Sequence, residues 1–136
     1  MHLRMAREVR TRRLTATILA MACAVASCGR AESSIAVSWS LEPAPPASGR
    51  ETIAQVTLTD AAGQPVPGAR LQIEGHMSHP GMAPITTRLT ELADGRYEGR
   101  VQFSMAGDWI LVVTGELADG TRIDRQLEVA GVRPAG

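Results

Sequence analysis

The sequence predicts an all-β domain, a two-sheet immunoglobulin-like sandwich of about seven short strands. Three observations predict it. Short runs alternate apolar and polar residues, glycine, proline and aspartate clusters separate them, and no segment after residue 35 has the helical period. Strands of this length and spacing fit two packed antiparallel sheets.

The first run, IAVSWSL at 35–41, ends at EPAPPASG, 42–49, because proline cannot serve a central ladder. TIAQVTLTD follows at 52–60, then the turn AAGQPVPG at 61–68. ARLQIEG at 69–75 sets Ala69, Leu71 and Ile73 against Arg70, Gln72 and Glu74, the pattern of a strand with one wet face. PITTRLTEL at 84–92 alternates Ile85, Thr87 and Leu89 against Thr86, Arg88 and Thr90. After the tight turn ADG, strand 96–103 carries Tyr97, Val101 and Phe103 on one face. DWILVVTGEL is nearly continuous in apolar residues and reads as a central strand. ADGT at 118–121 turns the chain into RIDRQLEV, which presents Ile123, Leu127 and Val129. Trp109, Tyr97, Phe103 and Trp39 read as core aromatics.

Upstream of the sandwich lies an export signal. Five arginines between positions 4 and 13 precede an apolar run from Leu14 to Ala26, and Ala26 and Ser27 stand directly before Cys28. That matches the cleavage box of bacterial lipoproteins, in which the cysteine becomes the lipidated first residue, although Val25 stands where leucine is usual. A largely apolar run of 13 residues falls short of the roughly 20 that a membrane-spanning helix needs. Cleavage by the ordinary signal peptidase near Ala26 is the alternative, and Cys23 is a weaker lipidation candidate. The expected organisation is a lipoprotein signal peptide at 1–27, lipidated Cys28 and a tether at 28–34, the sandwich at 35–130, and a disordered tail at 131–136. The expected location is membrane-anchored and facing the periplasm, on the outer membrane of a two-membraned bacterium because Gly29 is not the aspartate that retains lipoproteins inside.

Without the leader, nine arginines face 13 acidic residues, a net charge of −4, and there is no lysine. The arginines are scattered, which argues against a nucleic-acid partner. With Cys28 acylated no thiol or disulfide remains, so the domain rests on its core, and any metal ligands come from His, Met, Asp or Glu.

The stretch GHMSHPGMAP at 75–84 concentrates the chemistry. If consecutive strands run antiparallel, the loop 76–83 and the turn SMAGD carrying Met105 share one end of the sandwich. Every histidine and methionine beyond the leader then gathers there: His76, Met77, His79, Met82 and Met105. Methionine is more often core than ligand, and a loop histidine is more often solvated. The five together nevertheless point to a metal site, with His76, His79, Met82 and Met105 as its centre and Met77 directed toward the core. Imidazole with thioether suits copper, Cu(I) above all, with Cu(II) or zinc as alternatives to which Glu74 or Asp108 would contribute.

The segment GRYEGRVQFSMAGDW at 95–109, preceded by the Met/His loop and by GQPVPGA at 63–69, resembles the YtkA-like domain family and, similarly, the periplasmic part of FixH-type proteins. The resemblance implies a small exported β-sandwich, often on a lipoprotein, associated with copper handling near oxidase assembly or metal efflux. It implies ligands at Met77, His79, Met82 and Met105, and structural aromatics at Tyr97 and Trp109.

Nothing in the sequence composes an enzyme site. Ser78 between His76 and His79 lacks an evident acidic orienter, and Asp94 and Asp108 fall at opposite ends of the predicted topology. Two readings follow. The first is an extracytoplasmic copper chaperone or accessory protein, held to membrane lipid through Cys28 and serving a copper transporter or oxidase-assembly partner. The second is a structural or protein-interaction module of such a system, without bound metal.

Overall fold

The computed structural model describes residues 34–136. The expected signal peptide, Cys28 and nearly all of the expected tether lie outside the described residues.

Eight strands form: β1 (Ala36–Glu42), β2 (Glu51–Thr59), β3 (Arg70–Met77), β4 (Ile85–Arg88), β5 (Thr90–Ala93), β6 (Arg96–Gln102), β7 (Gly107–Glu116) and β8 (Arg122–Val132). They make two four-stranded antiparallel sheets, ordered β1-β2-β6-β5 and β4-β3-β7-β8. The architecture is the all-β sandwich that the alternation predicts. Along β2, β3, β6 and β7 every second side chain is buried between the sheets, as a period of two requires.

The eighth strand comes from a segment expected to be one strand. Residues 84–92 switch sheets at Leu89: β4 pairs with β3, whereas β5 pairs with β6 in the opposite sheet. The Leu89 amide still donates to Leu71 O at 3.0 Å, so the chain leaves the first sheet there. Gly99 makes the crossing feasible. A Cβ on it would sit 2.5 Å from Leu89 Cδ2 and 3.1 Å from Arg88 O, closer than packed atoms approach.

Trp109, Tyr97, Phe103, Leu58, Ile73 and Leu111 are the largest fully buried side chains. Each such side chain contributes about 1.5–3 kcal/mol through removal from water. Phe103 and Trp109 meet edge to face with ring centroids 5.4 Å apart. Tyr97 is buried but keeps its polar end satisfied: the hydroxyl donates to Val66 O at 2.8 Å and accepts from the Ala69 amide at 3.0 Å, which fastens the 61–69 connection to the sheet.

Two expectations change at the margins. Trp39, read as core, is 37% exposed. It lies on the edge strand β1 opposite buried Val56, where β8 of the facing sheet does not close over it. At the other end of the chain β8 runs to Val132, past the boundary of 130. The residues after it are held: Arg133 N donates to Pro46 O at 2.9 Å, Ser48 N donates to Arg133 O at 2.8 Å, and Ala135 N donates to Ser48 Oγ at 3.1 Å.

Candidate functional site

The pairing of β3 with β7 sets the end of the sandwich where the Met/His residues fall. His76 is opposite Ile110 and Met77 is opposite Trp109, so the loop leaving β3 and the turn entering β7 are neighbours. β3 extends two residues into the expected loop, and His76 and Met77 therefore sit on a strand rather than in a flexible turn. Successive strand residues face opposite sides. His76 is exposed on the outer face with its Nε2 2.7 Å from Glu74 Oε1. Met77 turns inward, packs against the core, and brings its Cε within 3.2 Å of where a Cβ on Gly107 would stand.

The remaining residues are solvent-facing. His79 is exposed in the loop, in which Gly81 adopts φ +95°. Met82 and Met105 are 39% and 49% exposed. The turn bearing Met105 is anchored from beneath, because the Trp109 indole Nε1 donates to Met105 O at 3.0 Å. A firm core thus holds up an end from which two thioethers project.

This geometry overturns the metal reading. Among the described residues no group of three or more His, Cys, Asp or Glu side chains is placed to hold a metal ion. The expected copper site at His76, His79, Met82, Met105 and Met77, with Cu(I), Cu(II) or zinc as its ion, is corrected accordingly, and the copper-chaperone function goes with it. The physical cause is legible in the strand. His76 and Met77, adjacent in sequence, diverge across the sheet, and the imidazole of His76 is already engaged by a carboxylate.

Elsewhere the reading of residue types missed several positions that matter. Gly99, Gly75 and Gly115 lie inside strands because a Cβ at each would collide with Leu89, Ile85 or Arg70 O at 2.5, 2.6 or 2.1 Å respectively. A glycine within an alternating run is the signal for such a close approach. Arg125, on the inward-facing side of β8, sends its guanidinium to Asp124 O at 2.9 Å and to Ile35 O at 3.5 Å. A charge at an inward position of an edge strand discourages pairing with other chains.

The class defined by this fold and this end is a small antiparallel β-sandwich that presents a loop-built apex. Residues 33–114 match the YtkA-like family, and the chain belongs to it. The match ends inside β7, and β8 completes the second sheet beyond it.

Among solved structures, a DUF4785 family protein from Legionella pneumophila is similar with a TM-score of 0.52 and 17% identity, over 75% of this chain. The chain spans 29% of that protein's length, and the likeness is one of fold alone. The Lin-41 filamin domain gives a TM-score of 0.45 and 18% identity, over 73% of this chain and 91% of that one. No curated protein matches the sequence.

Proposed function

We propose that the domain is a metal-free protein-interaction module that docks a component of a membrane-associated transport or oxidase-assembly system. The contact is the apex built from loop 78–84 and turn 103–106. One observation carries the reading: Met82 and Met105 are exposed at that apex although the core beneath it is fully packed. Methionine is flexible and polarisable, and it suits surfaces that adapt to a partner. Lipidation at Cys28 and a periplasm-facing location, on the outer membrane where there are two membranes, are part of the proposal and rest on the leader sequence.

A photoreactive residue placed at position 82 or 105 of the full-length protein, in cells, tests the contact. The expected result is a membrane-protein adduct from those two positions and none from position 119, in the opposite turn. Replacing residues 78–83 with a glycine-serine segment of equal length should remove the partner and leave the denaturation midpoint unchanged. Adducts from position 119 alone, or none from the apex, would sink the reading. Cys28→Ala should release the protein from the membrane fraction; retention there would refute the anchor.

A further inference from the structure

Among the described residues, β1 and β5 are the edges of one sheet and β4 and β8 are the edges of the other. An edge offers unpaired main-chain groups to any added strand, and proteins guard it by keeping the strand short or by placing a charge at an inward position. Three of these edges are guarded. β4 and β5 are four residues long, and β8 carries Arg125 between inward Ile123 and Leu127. β1 has neither protection. It is 7 residues long, its inward positions are Val37, Trp39 and Leu41, and its one charge is Glu42 at the last position. Trp39 is 37% exposed there, and an open hollow of about 340 Å³ beside Trp39, Leu41 and Val129 leaves room for another ring.

The order of residues in β1 specifies what pairs with it. VSWSL at 37–41 is chemically the same in both directions, because Ser38 and Ser40 flank Trp39, and Val37 and Leu41 flank the serines. Two antiparallel copies related by a twofold axis at Trp39 therefore set Val37 against Leu41, Ser38 against Ser40, and Trp39 against its own counterpart. Directly opposed residues face the same side of the sheet, so the apolar side chains meet on the inner face and the serines on the outer one. Glu42 falls opposite Ala36, and no like charges meet.

We infer that the protein forms a twofold dimer by pairing β1 with β1 of a second copy, which joins their two four-stranded sheets into one continuous sheet. β1 runs toward the apex, as β6 does, because both are antiparallel to β2. The second copy's β1 runs the opposite way, so the two apices lie at opposite ends of the dimer and stay free. The dimer and the apex contact thus stand or fall separately.

Sedimentation velocity and acrylamide quenching of the full-length protein in detergent, over a range of concentrations, test the pairing. A dimer should form as concentration rises, and shielding of tryptophan should rise with it. Trp109 is buried throughout, so the change reports on Trp39. Two double variants at the exposed positions 38 and 40 fix the register. Ser38→Lys with Ser40→Lys opposes lysine to lysine at both pairs and should weaken the dimer by roughly two- to thirtyfold. Ser38→Lys with Ser40→Glu opposes lysine to glutamate at both and should dimerise at least as well as the parent. Circular dichroism unchanged in both variants separates loss of pairing from loss of fold. A monomer at every concentration, a dimer whose Trp39 stays open to quencher, or equal affinity in the two double variants overturns the proposal.

Discussion

The Trp109 indole donates a 3.0 Å hydrogen bond to the carbonyl of Met105, so a residue at the bottom of the apex fixes the backbone of one at its tip. The two side chains have opposite roles. Trp109→Phe removes the donor and opens space beside Phe103, and it should cost about 2–4 kcal/mol in urea denaturation. Met105→Ala, at an exposed position, should stay within about 0.5 kcal/mol of the parent. A large loss in the second variant would mean that Met105 is structural, and it would remove the separation between scaffold and contact surface.

Tyr97→Phe tests the hydroxyl that bridges Val66 O and Ala69 N. With it gone, two main-chain groups lose their partner, and a destabilisation of about 1–3 kcal/mol is expected. The same residue sets an alkaline limb. Burial raises the Tyr97 pKa above 10.0, with the neighbouring Glu91 and Asp94 carboxylates adding to the effect against the opposing hydrogen bond from Ala69. The folded state therefore holds the phenolic proton more tightly than the unfolded state does. Its contribution is full below the unfolded value and is lost as pH rises through the folded one. Denaturation midpoints measured across alkaline pH should fall more steeply for the parent than for Tyr97→Phe, and parallel curves would contradict the assignment.

Thr52 Oγ1 is buried and has no hydrogen-bond partner. Replacing it with an isosteric methyl removes the cost of keeping that hydroxyl from water. Thr52→Val should stabilise the protein by about 1 kcal/mol, read from the urea midpoint at unchanged slope. A less stable variant would show that the hydroxyl is solvated in solution.

Gly99 and Leu89 should be coupled. Gly99→Ala forces a methyl into Leu89 and is expected to cost about 1–3 kcal/mol. In the double variant with Leu89→Ala the collision with the leucine side chain disappears and only the closer approach to Arg88 O remains, so the combined loss should be smaller than the sum of the single losses. Strict additivity would rule out the contact as the reason for a glycine in β6.

The alternation of side chains made most of the fold legible in advance. β3, β6 and β8 follow from period-two runs, β7 from its nearly continuous apolar run, β2 from the breaks that flank it, and the turns between them from glycine, proline and aspartate. The strand switch was hidden because Ile85, Thr87 and Leu89 continue to alternate while the chain changes partners, and partner choice is a tertiary matter. Trp39 was misread for a related reason: an apolar residue on an inward face is buried only when the facing sheet extends over it, which β8 does not do here. The Met/His residues do collect at one end, but a metal site needs donors that converge. A run of ligand types carries no information on convergence once two of them belong to a strand.

The sheet change at Leu89 also bears on how the molecule comes apart. One short stretch of backbone belongs to both layers, and β2 and β6, like β3 and β7, join residues far apart in sequence. Neither layer is complete before the other, so no half-formed sheet offers a resting place on the way. Amides in β3 and β6, in different layers, should exchange with solvent through the same global opening. The chain should also assemble on the slow, millisecond-to-second scale of topologies dominated by distant contacts.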